Sequence, residues 1–321
     1  MSIQEKLHAI QRTTHETQAH LAERFGVSLV SFNRWWNGKA VPRQIFREKI
    51  EEYYLESTGQ KSIAQEILSK KKQKLFIESS CFPHILQFIL ENPDIHDEFV
   101  LKLTYNSNRI EGSTLTEGDT AAVLFENVAL PYKSLTEQLE AKNHQTALNF
   151  VFEYLNGKGR LDENFILKLH SILMNGIRSD AGQYRTHGVR ILGVNLPTAN
   201  FLKIPEILPP LLEKASRKTA DSVAHATSIH AQFEQIHPFS DGNGRVGRLL
   251  MNAMLLQENL PPAIIQEHYK PLYYSSLYRA QTQDDISRLQ DFLLDAIFDG
   301  LKILKREPLT PSKKFKSFKR G

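Results

Sequence analysis

Apolar side chains recur at intervals of three and four along most of this chain, most clearly in 165–174, 222–235, 246–258 and 289–304. That spacing predicts helices with one face turned to a core. A strand signal arises in one place: 189–196 reads as strand, turn and extended segment, with Gly193 and Asn195 at the turn. Near the N-terminus, Thr17 is placed to cap a helix that buries Leu21, Ala22 and Phe25 and stops at Gly26. Ser28 then caps a second helix ending at Asn37-Gly38, Pro42 interrupts the chain, and 45–54 reads as a further helix. Residues 61–74 read as a partly helical connector whose Lys70-Lys71-Lys72 run is a solvated face. Beyond it 77–90, broken by Pro83, leads to the helix before Glu111. The expectation is an all-α core with one small β-hairpin and an attached helix-turn-helix bundle, without an internal repeat.

A chain of 321 residues, 41% hydrophobic, can hold one small and one large core. The pattern divides it into a helix-turn-helix unit at 1–58, a helical connector at 59–94, a main domain at 95–304 and a basic tail at 305–321. That tail holds Pro308, Pro311, Lys313, Lys314, Lys316, Lys319 and Arg320 with interleaved Phe315 and Phe318, and lacks the apolar content to fold alone. It reads equally as a source of non-specific phosphate contacts, a localisation signal or a plain terminus. The net charge of +4 is too mild to argue for nucleic acid by itself. One cysteine, Cys81, excludes an intramolecular disulfide and favours a reducing interior. No apolar run reaches membrane-spanning length and the polar N-terminus lacks a signal-peptide core, so no membrane partner and a cytoplasmic location are expected; secretion as an effector would leave no such mark.

The chemistry concentrates in His237-Pro-Phe-Ser-Asp241-Gly-Asn-Gly-Arg245-Val-Gly-Arg248. Gly242 and Gly244 allow a tight loop whose amide N–H groups converge, and a helix starting there adds a partial positive charge suited to phosphate. Arg245 and Arg248, three apart on the first helical turn, can both reach one phosphate chain. Asp241 is a hard oxygen donor suited to Mg²⁺, and His237 is the right kind of group to take a proton from an attacking hydroxyl near neutral pH. The competing reading of Asp-Gly-Asn-Gly as a bare hairpin turn fails on its flanks, which have helical rather than alternating spacing.

This run resembles the signature of the Fic family at every defined position, and Ala181-Gly-Gln-Tyr-Arg185, Leu196-Pro197, Tyr273-Tyr274 and Asp284-Asp285 are similar to other Fic segments, so the resemblance spans about residues 95–300. It implies an all-α, Fic-type helical core and the transfer of AMP from ATP to a Ser, Thr or Tyr hydroxyl of a protein target, with release of pyrophosphate. By that resemblance His237 is the base and Asp241 holds Mg²⁺ against the α- and β-phosphates. Gly242, Asn243, Gly244 and Arg245 form the anion hole, and Arg248 holds the γ-phosphate. Tyr274 and Gln281 fall where the family contacts the nucleoside. Val189, Arg190, Ile191, Leu192 and Gly193 form a flap that pairs with the target's backbone.

Upstream, Ser107-Asn-Arg-Ile-Glu111-Gly112 resembles the Fic inhibitory motif, on a helix around 104–112. The resemblance implies that Glu111 pairs with Arg248 and occupies the γ-phosphate position. The N-terminal unit resembles the phage-repressor (Cro-like) DNA-binding class. Its second helix would present Ser28, Ser31, Asn33 and Arg34 to a groove of double-stranded DNA while Gln18, Asn37 and Lys39 reach phosphates, with Trp35 in the core and a homodimer on paired half-sites. Three functions stay open: an autoinhibited AMP transferase with a DNA-binding head, a transcriptional regulator whose Fic module senses nucleotide or modifies itself, and a de-AMPylase in which Glu111 aligns water.

Overall fold

The computed structural model describes residues 2–58, 62–126, 128–189 and 197–306. Four helices build an N-terminal bundle: α1 (Ile3–Thr14), α2 (Gln18–Phe25), α3 (Leu29–Trp36) and α4 (Gln44–Ser57). The chain marks their ends as expected. The Thr17 hydroxyl accepts from the His20 N–H at 3.2 Å, Gly26 ends α2 in the left-handed conformation at φ 70°, and the Ser28 hydroxyl accepts from the Ser31 N–H at 3.3 Å. Leu7, Ile10, Leu21, Phe25, Phe32, Trp35, Ile50 and Tyr54 close a small core of their own.

The larger unit begins with α5 (Gln65–Ser79) and α6 (Ile85–Glu91), then α7 (Pro93–Glu111) and α8 (Glu117–Ala121), which runs into a π-helical turn at Ala122–Glu126. It continues with α9 (Leu135–Asn156), α10 (Glu163–Leu173), α11 (Ile204–Ala215), α12 (Ser222–Ile236), α13 (Asn243–Gln257), α14 (Lys270–Thr282) and α15 (Ser287–Leu304). Among the described residues there is no strand, and no helix is long and apolar enough to cross a membrane. The expected strand and turn fall on 189–196, of which Val189 alone is described; 190–196, like Asn127, 59–61 and the tail from Glu307, lie outside the described residues.

Helix α13 is the axis of this unit: Val246, Leu249, Leu250, Met251 and Ala253 are all buried, and α7, α9, α10 and α12 pack around it. A helix buried on all sides belongs in the middle of a core, and α13 takes its polar side chains, Asn243, Arg245, Arg248 and Asn252, in with it. The lysine run of α5 is not a solvated face. Lys71 bonds Asp291 at 2.8 Å and Asp295 at 2.7 Å, and Lys72 pairs with Asp221, because α5 lays Leu68 and Leu75 against the core beside α15. Lys70 alone of the three faces solvent, with Glu66 one turn away.

The 260–265 segment crosses α15 closely, tied by the Ile264 N–H to the Ala296 carbonyl at 3.0 Å. Gly300 makes the crossing possible, since a Cβ there would run into the Pro262 carbonyl, a backbone atom that cannot step aside. Gly300→Ala is therefore expected to destabilise the protein by about 1–3 kcal/mol, as overpacking does. An unchanged urea midpoint would show that the crossing is loose.

Candidate active site

Helix α12 ends at His237, which adopts the left-handed conformation, φ 53° and ψ 62°, and turns the chain out of the helix. That conformation is uncommon for a residue with a side chain and needs support from its surroundings. Arg185 gives it. Its buried guanidinium donates from Nε to the His237 carbonyl at 2.7 Å and from Nη2 to the Ala199 carbonyl at 2.6 Å, while the Arg185 N–H reaches the Pro238 carbonyl at 3.0 Å. The His237 Nδ1 lies 3.1 Å from the Glu234 carbonyl, so Nδ1 carries the proton and Nε2 keeps its lone pair. Burial holds the imidazole below the ordinary histidine pKa, with Arg185 adding to the effect, and the ring is an uncharged base at neutral pH.

The loop from Pro238 to Gly242 is fixed from inside. Asn243 spans it, accepting from the Phe239 N–H and donating to the Phe239 carbonyl, both at 2.8 Å. Phe239 is fully buried and stacks on His170 with ring centroids 3.7 Å apart and planes 8° from parallel. The His170 Nδ1 accepts the Gly182 N–H at 2.9 Å, which leaves Nε2 to donate to the Asp241 carbonyl at 3.1 Å. Burial lowers the His170 pKa to about 4, so this brace stays neutral. Gly242, at φ 77°, presses on the Met174 methyl where a Cβ would collide. No side chain caps α13, so the first-turn N–H groups of Asn243, Gly244 and Arg245 are open to an anion.

The two arginines do not share a partner. Arg245 is buried and donates from Nη1 to Glu140 at 2.8 Å, with Asp241 at 3.6 Å from Nη2. Arg248 donates from Nε to the Ser107 hydroxyl at 2.9 Å and from Nη2 to the Ser107 carbonyl at 3.1 Å and to Glu111 Oε1 at 2.7 Å. Helix α7 aims this pair because Ser107 and Glu111 are one turn apart, and Gly112, at φ 107°, closes it. Gly244 is also required, since a Cβ there would occupy the place of Glu111 Oε1. Asp241 keeps 52% of its side chain exposed at the loop's outer lip, with Oδ1 accepting the Gly242 N–H at 2.6 Å. One open carboxylate fits Mg²⁺, which takes most of its shell from phosphates and water.

Tyr274 lies close enough to Glu111 that the glutamate's charge adds to burial in raising its phenol pKa, whereas Gln281 donates to the Ala231 carbonyl at 3.0 Å. The Asn243 side chain is turned into the loop, which leaves its N–H for a ligand. Of the flap residues Val189 alone is described, its carbonyl accepting from the Thr198 hydroxyl at 3.0 Å; Arg190, Ile191, Leu192 and Gly193 lie outside the described residues. Sequence reasoning did not single out Glu140, His170 or Glu234. For Glu234 no clear signal existed, since Gln232 and Gln235 flank it in the last turns of α12.

In the N-terminal bundle, Phe32 and Trp35 set the phase of α3, so its outward face is Val30, Arg34 and Asn37. Ser31 and Asn33, expected on the exposed face, are half-buried, as is Gln18 on α2. The Ser28 and Ser31 hydroxyls bond each other at 3.1 Å, and the Asn37 amide donates to the Asn33 carbonyl at 2.8 Å. Arg34 and Arg43 line one cleft with Ser28 and Ser31, about 400 Å³ in volume.

An all-helical core here carries an uncapped helix start, a preceding histidine and two buried arginines, and residues 160–255 match the model of the Fic/DOC family. Among curated proteins, the chain is 32% identical over 185 residues to protein adenylyltransferase fic-1 of Caenorhabditis elegans, covering 56% of this chain and 36% of that protein. It is 33% identical over 195 residues to protein adenylyltransferase Fic of Nematostella vectensis, covering 56% and 43% respectively. The chain therefore spans less than half the length of these relatives. Among solved structures, a Fic domain containing signaling protein from Bacteroides thetaiotaomicron superposes with a TM-score of 0.63 at 26% identity, over 73% of this chain and 98% of that one.

Behind Arg248, the His230 Nε2 lies 2.7 Å from the Tyr273 hydroxyl and its Nδ1 3.2 Å from the Gly247 carbonyl. Complete burial, with Arg248 nearby, lowers the His230 pKa from 6.5 to about 3. Protons then bind the unfolded chain more tightly, so this residue's contribution to stability is complete above pH 6.5 and is lost as pH falls toward 3. Denaturant titrations should show that loss at about 1.4 kcal/mol per pH unit for this group. His230→Gln should flatten the slope by that share, and an equal slope in both proteins would mean that His230 is protonated in the fold.

Proposed function

We propose that this protein transfers AMP from ATP to a Ser, Thr or Tyr hydroxyl of a protein target, releases pyrophosphate, and is held inactive by Glu111. The observation that carries this reading is the 2.7 Å ion pair between Glu111 and Arg248, beside the uncapped start of α13 and a base whose Nε2 is unprotonated. The target hydroxyl attacks the α-phosphorus, His237 Nε2 takes its proton, the bond to the β-phosphate oxygen breaks, and pyrophosphate leaves. The first-turn N–H groups of α13 stabilise the charge gathering on the phosphoryl oxygens. Asp241 would hold Mg²⁺, which supplies charge neutralisation at the phosphates. Arg248 is the seat for the γ-phosphate, and Glu111, an anion already bound there, excludes the productive pose. The relatives named as protein adenylyltransferases support the same chemistry.

Glu111→Gly should raise the incorporation of labelled AMP into protein by about tenfold or more, the effect of freeing Arg248 from about 1.4 kcal/mol of competing interaction. His237→Ala should lower it by about 10²–10⁴-fold in either background, as the loss of a general base does. Equal labelling by wild type and Glu111→Gly would reject autoinhibition. Loss of AMP from a premodified target only when Glu111 is present would favour the reverse reaction.

For the N-terminal bundle we propose double-stranded DNA, read by a homodimer on paired half-sites. Support comes from the α2–α3 arrangement, from Arg34 and Arg43 on one cleft, and from Val30, which is 73% exposed on the outward face of α3 and suits a thymine methyl. Arg34→Ala with Arg43→Ala should weaken a duplex mobility shift and, with both arginines lost from each protomer of the dimer, reduce its salt slope by about four. Unchanged binding would remove α3 from the interface.

A further inference from the structure

Two carboxyls lie against the face of α13 that carries Arg248, and only Glu111 pairs with it. Gly244 and Gly247 share a face of α13, with their Cβ positions about 5–6 Å apart as expected for residues at that spacing. Glu111 Oε1 fills the space over Gly244, and Glu234 Oε1, from α12, fills the space over Gly247, where a Cβ would collide with it. Glu234 is 6% exposed. Its Oε1 is enclosed and makes no hydrogen bond, and Arg248 Nη1, which lies against Gly244, is enclosed and unbonded as well. An ionised carboxylate without hydrogen bonds is costly in such surroundings, whereas a neutral carboxyl is tolerated.

The groups around Glu234 define when it can ionise. Glu111 faces it from α7, Arg248 from α13, and Tyr273 and Tyr274 from α14, both kept as neutral phenols chiefly by burial. On α12 itself, His230 and His237 are uncharged for the same reason. The balance at Glu234 therefore turns on whether the charge of Arg248 is already neutralised.

We propose that Glu234 is a proton-carrying partner of Arg248: neutral while an anion, Glu111 or the end of a bound triphosphate, occupies the arginine, and ionised as its counter-ion once that anion leaves. The triphosphate half rests on the function proposed above. With Glu111 seated, burial and the glutamate's charge raise the Glu234 pKa to about 8, against the pull of Arg248. Withdrawal of Glu111 removes one of the raising contributions, so Glu234 gives up its proton and holds the otherwise unpaired arginine. Arrival of ATP restores an anion and draws a proton back, so affinity for ATP weakens as pH rises through the pKa of the open state. Exchange of anions at Arg248 is thereby coupled to proton movement, and Gly247 provides the space that the second carboxyl needs.

Infrared difference titration of the full chain with ¹³C-carboxyl-labelled glutamate tests this directly. Wild type should show a protonated-carboxyl band with a midpoint near pH 8 that is missing from Glu234→Gln. Should that variant fail to fold, Glu234→Asp assigns the band by removing it from the labelled glutamate set. In Glu111→Gly the midpoint should fall by about one pH unit or more, a tenfold loss of proton affinity, and saturating Mg²⁺–ATP should raise it again. An ionised Glu234 at neutral pH in wild type, or the same midpoint in wild type and Glu111→Gly, overturns the proposal. A midpoint that falls in Glu111→Gly but ignores ATP upholds the exchange with Glu111 and overturns the triphosphate half; calorimetry on the same variant then separates the two failures, since magnesium-dependent uptake of ATP leaves the nucleotide reading standing and no uptake overturns it as well.

Discussion

The charge of Arg248 sits deep between α7, α12, α13 and α14, and much of the surrounding structure follows from keeping it there. A buried guanidinium without hydrogen bonds and a counter-charge costs several kcal/mol. Ser107 takes Nε and lends its carbonyl to Nη2, and Glu111 supplies the negative charge at 2.7 Å. That demand fixes the phase of α7 against α13 and requires Gly244 at the contact. Under the proposed function, this is the place where the end of a triphosphate would take over from Glu111.

The neighbouring loop is rigid for a different reason. Its backbone turns are unfavourable locally, with His237 left-handed and Gly242 pressed on Met174, and they persist because buried polar groups tie them down. Arg185 holds the carbonyl of His237, Asn243 bridges Phe239, and His170 joins Gly182 to Asp241 through its two ring nitrogens. Burial keeps His170 uncharged, so one ring nitrogen accepts while the other donates, an arrangement that an imidazolium could not maintain. Preorganisation of this kind would spare the loop, in the role proposed for it, the reorganisation that developing charge on a phosphate otherwise demands.

The N-terminal bundle depends on its own small core, and its helix ends were readable because each is written in adjacent residues: Thr17, Gly26 and Ser28 act over one or two turns. The outward face of α3 was less legible. Ser31 and Asn33 look solvent-facing as polar residues, yet Phe32 and Trp35 rotate the helix so that Val30 takes the exposed position. Polarity alone does not set helix phase; the bulkiest buried side chains do.

The chain by itself determined what depends on neighbours in sequence. These are the helical periodicity, the caps, the order of base, carboxylate, glycines and arginines in 237–248, and Ser107 and Glu111 one turn apart. Tertiary structure decided which distant groups meet. Arg245 goes to Glu140 rather than joining Arg248, Lys71 and Lys72 dock on acids of α15 and the start of α12 instead of facing solvent, and Glu234 arrives over Gly247 beside the buried arginine. None of these pairings leaves a periodic trace, because each joins side chains whose separation in sequence is unrelated to their separation in space. Charge burial and steric room, which arise only once helices pack, selected them.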